Sequence, residues 1–219
     1  IIAATTETLT VADFDKNDDV SCSVTPNDGT DSGTAVTSNT VSIQNSAPTI
    51  GGVTIDPNPA MAPDTLTCSW SGYSDPDGDT DRSTVNWQIN GVDAGTTAVL
   101  MSGFVGGDTV TCTVTAFDNG DTGNVLTDTV VISNTPPQVF SVELSPVNPD
   151  TTDTIIASVL YSDADGSAGL VLNHTWTVNG ALTGVTADRL TGDNFDKHDE
   201  ISCTVTPNDG IEDGDPVTS

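Results

Sequence analysis

The chain has 219 residues, of which 35% are hydrophobic and 5% aromatic, and its formal net charge is −28. With two lysines and two arginines, it lacks the cations needed to displace counterions from a nucleic-acid backbone, and docking on anionic lipid is disfavoured. No apolar run approaches the length of a membrane-spanning segment, and the start has no signal-peptide pattern. Because the first residue is Ile1, we expect a window on a longer, processed protein.

Aspartate makes up 28 of the 32 acidic residues. It is poor in helix and strand interiors, whereas turns and hard cations favour it, so the acid is predicted to lie in loops. The alternative is the general acidity of a salt-adapted surface.

Short apolar runs alternate with Thr and Ser along the chain and are broken by Gly, Pro, Asn and Asp, while no segment keeps a helical period. The predicted fold class is therefore all-β, with essentially no helix. The first predicted unit, residues 1–47, is the C-terminal part of a sandwich domain with strands near Leu9, at 20–24 and at 36–43.

The second predicted unit, residues 48–136, is a complete sandwich domain. Apolar residues recur at alternate positions of its strands, at Val53 and Ile55, Leu66, Cys68 and Trp70, Val85, Trp87 and Ile89, Val99, Val110, Cys112 and Val114, and finally within 127–132. Asn90-Gly91 is a hairpin signal after the third of these strands.

The third predicted unit, residues 137–219, follows the same path, with His174 facing the core and a hairpin signal at Asn179-Gly180. Ser219 corresponds to Ser38, so this unit is predicted to lack its last strand. We expect the strands missing from the first and third units to come from neighbouring polypeptide, either the same chain or another subunit.

A repeat of sandwich size underlies this division, because Cys22, Cys112 and Cys203 follow one another at intervals of 90 and 91 residues. The units are also predicted to alternate in type. Phe14-Asp15-Lys16 recurs as Phe195-Asp196-Lys197, whereas the second unit has Phe104-Val105-Gly106 at this place. The true repeat is therefore predicted to be two domains long.

Cys68, Trp87 and Cys112 lie on the second, third and sixth strands of the complete unit and face inward. This is the arrangement of an immunoglobulin-like sandwich, in which a disulfide joins the two sheets beside a buried indole. A Cys68–Cys112 disulfide is predicted, with two buried free thiols as the alternative. Cys203 faces Ala157 at the position equivalent to Cys68, so it is predicted to be an unpaired core residue.

Several motifs of the complete unit resemble those of a known family. They are Asp-Thr-Leu-Thr-Cys at 64–68, Ser-Asp-Pro-Asp-Gly-Asp at 74–79, Trp-Gln-Ile-Asn-Gly at 87–91, Val-Thr-Cys-Thr-Val-Thr at 110–115 and Ser-Asn-Thr-Pro-Pro at 133–137. The chain resembles the tandem immunoglobulin-like repeats of large bacterial and archaeal surface proteins, relatives of PKD and cadherin-like modules. The resemblance implies a cell-surface stalk, adhesin or fibre, often with bound calcium. The third strand departs from the Trp-Asp-Phe-Gly-Asp-Gly pattern of PKD modules.

Two aspartate-rich loops of the second and of the third unit are predicted to converge at one end of each sandwich, where Ca²⁺ can take six to eight oxygen ligands, and the first unit is predicted to add acids from its opposite end. The predicted ligands are Asp75, Asp77, Asp79, Asp118 and Asp121 in the second unit, Asp15, Asp18 and Asp19 in the first, and Asp163, Asp165 and Asp209 in the third. A solvated acidic turn is the alternative. An EF-hand is excluded, because Thr80 replaces its turn glycine and Asn86 its bidentate glutamate.

These loops are predicted to meet at the domain junctions. The first junction brings four acids of residues 13–19 to the Asp75 and Asp118 loops, whereas the equivalent segment of the second junction contains only Asp108. We therefore expect the first junction to be stiffer and to bind calcium more tightly.

Catalytic motifs are weak, and the chain is predicted not to be an enzyme. Asp31-Ser32-Gly33 and Asp121-Thr122-Gly123 look like aspartic-protease triplets, but they lie in polar loops without a burying strand, so turns explain them better. His174 and His198 have no recognisable nucleophile beside them, and the cysteine spacing does not fit a zinc site.

The sequence thus predicts a non-enzymatic extracellular or cell-surface protein, a calcium-rigidified stalk or fibre whose partners are adjacent repeats or neighbouring copies. The alternative is an adhesin module that binds a glycan or protein ligand. Nearly every aromatic is assigned to the core, with Tyr73, Phe117 and Tyr161 as exceptions, and this favours the spacer. Asn173, in an Asn-His-Thr sequon, is predicted to face outward and to be a possible glycosylation site.

Overall fold

The computed structural model describes residues 7–219, and the only regular element there besides strands is a short 3-10 turn at Gly192–Asn194. The all-β prediction is confirmed. Each sheet within this range draws its strands from one predicted unit. We call residues 7–47, 48–136 and 137–219 domains 1, 2 and 3; the exact bounds stay a prediction, and residues 1–6 lie outside the described range.

Domain 1 is a broken antiparallel ribbon. Its strands are β1 (Asp19–Val20), β2 (Ser23–Val24), β3 (Val36–Thr37) and β4 (Val41–Ser42), paired as β1 with β4 and β2 with β3. The strand predicted near Leu9 is wrong. The chain turns there instead, because the Asp13 amide donates to the Thr10 carbonyl (2.9 Å) and the Thr10 amide to the Asp13 carboxylate (2.7 Å).

Domain 2 contains eight strands in two sheets. They are β5 (Gly52–Asp56), β6 (Ala60–Met61), β7 (Leu66–Ser71), β8 (Thr84–Ile89), β9 (Val92–Gly95), β10 (Val99–Leu100), β11 (Thr109–Phe117) and β12 (Thr122–Ser133). One sheet has the order β10-β7-β5 and the other β6-β12-β11-β8-β9. The short β6 runs parallel to β12, a pairing that the sequence did not indicate. This is an immunoglobulin-like sandwich.

The core of domain 2 draws its fully buried residues from positions 50–132 alone. Cys68 and Cys112 form the predicted disulfide across it. Trp87 is fully buried beside them, and its indole N–H donates to the Thr97 carbonyl at 2.8 Å. Period-two alternation therefore placed these three residues correctly, because one strand face packs on the opposite sheet.

Domain 3 repeats this plan with fewer strands. They are β13 (Gln138–Ser145), β14 (Thr154–Ser162), β15 (Val171–Val178), β16 (Ala181–Leu182), β17 (Arg189–Thr191), β18 (Ile201–Asn208) and β19 (Val217–Thr218), in sheets β13-β14-β17 and β16-β15-β18-β19. Trp176 is fully buried, and its N–H donates to the Ala187 carbonyl at 2.8 Å. His174 is buried as predicted.

Two turn features that recur in domains 2 and 3 explain local sequence choices. Both Asn-Gly hairpins have the two positive φ angles of a type I′ turn, 51° and 80° at Asn90-Gly91 and 51° and 78° at Asn179-Gly180. At Gly123, an added Cβ would lie 1.7 Å from the Pro48 carbonyl oxygen, so the strand start approaches the linker more closely than any side chain allows. This close approach accounts for the glycine of the Asp-Thr-Gly triplet without catalysis.

Candidate metal centre

The loop between β7 and β8 of domain 2 is built around the Asp75 carboxylate. Its Oδ1 accepts the backbone N–H groups of Asp77 (2.8 Å) and Asp79 (3.1 Å), and Gly78 takes a φ of 75° to complete the turn. Asp75 Oδ2 is buried and has no hydrogen-bond partner. A desolvated carboxylate oxygen without a partner is costly unless a cation lies beside it.

Asp118, from the loop after β11, joins this loop and is 7% exposed. Its Oδ1 accepts the amides of Gly120 (2.6 Å) and Asp121 (2.7 Å), and its Oδ2 accepts the Asn45 side-chain amide (2.8 Å). The Asn45 bond, followed by these backbone amides, lowers the pKa of Asp118 against the opposing effect of burial. Ligand oxygens of Asp75, Asp79 and Asp118 all lie within 4.8 Å of one another.

A lysine from domain 1 also reaches this cluster. Lys16 Nζ contacts Asp79 Oδ2 and donates to the Asn45 side-chain carbonyl at 3.1 Å. The hydrogen bond with Asp79 is the main cause that raises the pKa of Lys16, with further attraction from Asp77 and Asp118. At the first junction, the Lys16 ammonium group therefore lies against the aspartate cluster.

The linker between domains 1 and 2 is fixed by the same loops. The Ser46 amide donates to Asp77 Oδ2 at 2.6 Å, and the Asn45 side chain bridges Asp118 and Asp121, the latter at 3.0 Å. Thus three of the predicted ligands, Asp77, Asp118 and Asp121, bind linker groups in the structure.

The three acids predicted from domain 1 make other contacts. Asp18 accepts the Asp15 amide at 2.9 Å within their own turn, and Asp19 accepts the Ser42 hydroxyl. Asp15 is exposed, and none of the three belongs to the cluster of Asp75, Asp79 and Asp118. Their role as metal ligands stays a prediction.

The second junction uses equivalent residues with fewer charges. Asp165 accepts the amides of Gly106 (2.5 Å) and Thr135 (2.6 Å), and Asp209 accepts the Asn134 side chain at 2.8 Å. Asp163 Oδ2, like Asp75 Oδ2, is buried without a hydrogen-bond partner.

Two substitutions distinguish this second site. Ser167 stands where the first site has Asp79, and Gly106 stands where it has Lys16. The predicted ligands Asp163, Asp165 and Asp209 are not part of a three-carboxylate cluster among the described residues.

Sequence reasoning missed Lys16 and the two linker asparagines, Asn45 and Asn134. The signal was present, because each asparagine precedes a Ser/Thr in the Gln-Asn-Ser-Ala-Pro and Ser-Asn-Thr-Pro-Pro linkers. Aligning the linkers together with the domains would have identified both asparagines as a repeated feature.

The remaining predicted sites are placed by the strands. Asn173 is exposed on β15, as expected for an outward residue. Cys203 is a buried free cysteine, and burial raises the pKa of its thiol to about 11. No helix in the described part of the chain has the length and apolar character needed to cross a membrane.

No protein-family model and no curated protein matches this chain. Among solved structures, a segment of two fibronectin type III domains from chicken tenascin is 12% identical, with 78% of this chain and 97% of that chain covered and a TM-score of 0.42. The FN1-FN3 domains of chicken CNTN1 are 13% identical, with coverages of 94% and 75% and a TM-score of 0.32. Nothing about the function of this chain follows from likenesses at this level.

Proposed function

We propose that this chain is part of a non-enzymatic extracellular structural protein, a stalk or fibre of immunoglobulin-like domains that calcium stiffens at the domain junctions. Its partners are then adjacent repeats or neighbouring copies of the same protein. An extracellular location agrees with the Cys68–Cys112 disulfide, since such bonds persist in oxidising compartments.

The observation that carries the proposal is the repeated docking of each linker on an aspartate loop of the following domain. Ser46 and Thr135 donate their amides to Asp77 and Asp165, at 2.6 Å in both cases. A flexible tether would leave these backbone groups to water, whereas charge-assisted hydrogen bonds at both ends of domain 2 restrict how its neighbours rotate.

The donor set at the first junction suits calcium. Asp75, Asp79 and Asp118 would hold the ion, because carboxylate oxygens are its preferred protein ligands and Asp75 Oδ2 is buried without a partner. Bound Ca²⁺ would supply two positive charges to the loops. Lys16 competes for Asp79 in this scheme and would have to share or leave that carboxylate.

Calorimetric titration of the full chain with Ca²⁺ tests the site. Asp75→Asn is expected to weaken binding at least about tenfold, since it removes a charge from the ligand set. Asp56→Asn is the matched control, because Asp56 is an exposed aspartate at the end of β5.

The same samples, measured by small-angle scattering, test stiffening. We expect calcium to narrow the range of angles between domains 1 and 2 more than the range between domains 2 and 3. Equal stiffening at both junctions, or none, would contradict the calcium part of the proposal.

One observation favours an adhesin as the second candidate. Phe140, Ile156 and Leu160 are 53%, 44% and 62% exposed in the β13-β14-β17 sheet of domain 3, whereas domain 2 has Thr67 and Ser71 at the places of Ile156 and Leu160. Exposed apolar groups on one sheet are a feature of binding surfaces. Glycan and protein array binding that Phe140→Ser abolishes would favour the adhesin over the spacer.

A further inference from the structure

Three turns at equivalent places share one backbone geometry. They cover residues 15–18, 105–108 and 196–199. Each lies just before the segment that contains the repeated cysteine of its domain, Cys22, Cys112 or Cys203. In each, the fourth amide donates to the first carbonyl, at 3.2, 3.0 and 3.2 Å, and the fourth carboxylate accepts the first amide, at 2.9, 2.8 and 2.7 Å. The third residue has a φ of 68°, 88° or 75°. The three turns therefore present their second residue in the same way.

In two of these turns, the second residue contacts the acidic loop of the next domain. Lys16 reaches Asp79 through its ammonium group, and Gly106 donates its backbone amide to Asp165. The contacted loops differ between the two junctions, as the turns do. Lys16 faces a loop with Asp79, and Gly106 faces a loop with Ser167 at that position.

Close contacts disfavour a side chain at the glycine junction. A Cβ added to Gly106 would lie 2.8 Å from Asp165 Oδ2 and 3.1 Å from the Asn134 Cα atom. The glycine junction thus allows a direct backbone contact, whereas the lysine junction adds a charge pair. Each junction therefore combines one kind of turn with one kind of loop. Lys16 is combined with Asp79 at the first junction, and Gly106 with Ser167 at the second.

The third turn has the lysine form. Lys197 is exposed, and Phe195 beneath it is 7% exposed. A cavity of about 510 Å³ lies beside them, bounded also by Val147 and Asp150. A cavity of about 350 Å³ also lies next to Phe14 and Lys16, and it is lined on its other side by Pro76 and Asp77 of the domain 2 loop.

We propose that the Lys197 turn is a docking surface for the acidic loop of another immunoglobulin-like domain, one with aspartates at the positions of Asp77 and Asp79. This inference rests on the proposed function, since it takes end-to-end contact between domains as given. A loop with serine at the Asp79 position leaves the ammonium group without its carboxylate. The turn therefore selects loops of the domain 2 type over loops of the domain 3 type.

Two acids beside Lys197, Asp196 and Asp199, do not oppose this docking more than their counterparts do at the first junction. Asp199 is bonded to the Asp196 amide and to the Asn179 side chain at 2.6 Å, so it is held within its own domain. The first turn has Asp15 and Asp18 at the same places and still docks.

The repeat itself provides the experiment. The Ser38 amide donates to the Cys22 carbonyl at 2.8 Å, and the Ser219 amide donates to the Cys203 carbonyl at 3.0 Å, so the two serines are structurally equivalent. Appending a second copy of residues 39–136 after Ser219 therefore extends β19 and adds a second domain 2 in register. The added segment contains no lysine, so Lys16 and Lys197 are the two lysines of the extended chain.

A carbodiimide condenses a lysine amine with a contacting carboxylate to an amide and takes up the water that is lost. We expect mass spectrometry of the digested chain to find Lys197 joined to Asp79 of the appended copy, and Lys16 joined to the original Asp79. Asp79→Ser in the appended copy alone is expected to remove the first product and leave the second.

A Lys197 product that is absent, or that survives Asp79→Ser through other acids of the appended copy, overturns the inference while leaving the proposed array intact. Loss of both lysine products would overturn the docked junction as well, and with it the proposed function.

Discussion

Domains 2 and 3 join their two sheets differently at the same point of the fold. Domain 2 has the Cys68–Cys112 disulfide, whereas domain 3 has Ala157 and the free Cys203 at these positions, both buried. What the two share is the fully buried tryptophan, whose indole N–H donates to a backbone carbonyl at 2.8 Å in each. The comparison indicates that the tryptophan defines the core, while the disulfide is an added stabilisation.

The two junctions differ in a parallel way. Both dock a linker amide on an aspartate, but only the first adds the Lys16–Asp79 pair, and the second has Gly106 and Ser167 instead. Docking of the linker is therefore the common element, and charge is what varies from junction to junction.

The largest expected effect comes from making domain 2 resemble domain 3. Cys68→Ala leaves a free thiol beside an alanine and removes a cross-link across 44 residues. On the chain-entropy model, the free energy of unfolding of domain 2 should fall by about 3–4 kcal/mol. Hydrogen exchange during denaturant unfolding measures each domain separately.

Ala157→Gly in domain 3 is a control for the change in side-chain volume at this position. If Cys68→Ala lowers the protection of domain 3 as much as that of domain 2, the two cores are not independent and the comparison fails.

A smaller effect is expected from the free thiol of domain 3. The folded-state pKa of Cys203, about 11, lies above its ordinary value of 9.0, because burial disfavours the thiolate. The stabilising contribution is complete below pH 9 and is lost as the pH rises towards 11, since the unfolded chain releases the proton first. At pH 10 the loss should be on the order of 1 kcal/mol.

Cys203→Ala should remove this pH dependence from domain 3. The cysteines of domain 2 form a disulfide, so domain 2 should not lose stability through a thiol between pH 9 and 10. A domain 3 that is equally stable at pH 8 and pH 10 would contradict the assignment.

How well the sequence predicts a feature of this structure depends on how far apart in the chain the interacting residues lie. Strand alternation placed Cys68, Trp87 and Cys112 in one layer, because a period of two is a local property. The same reasoning assigned nearly all aromatics to the core and was wrong for Phe140. A register shift between Val139 and Ser141 inserts an extra residue there, so Val139 and Val142 both face inward and Phe140 faces solvent.

The junctions were predicted only in part. Convergence of the Asp75 and Asp118 loops follows from the topology of a sandwich, and the structure brings both residues together. The contact of Lys16 with Asp79, 63 positions along the chain, depends on how one domain is oriented on the next. Composition predicted that acidic groups make the contacts at this end of domain 1, because the aspartates near its turn outnumber the one lysine.

The smallest expected effect tests that lysine. Lys16→Met keeps most of the length of the unbranched side chain but removes the charge that faces Asp79, so the Ser46 amide, which is bonded to Asp77, should exchange faster. The effect is modest because the pair is partly exposed to solvent, with side chains 28% and 24% accessible. Lys197→Met is the matched control, and the Thr135 amide at the second junction is an internal reference. Faster exchange at Thr135, or an equal change in both variants, would mean that Lys16 does not distinguish the first junction from the second.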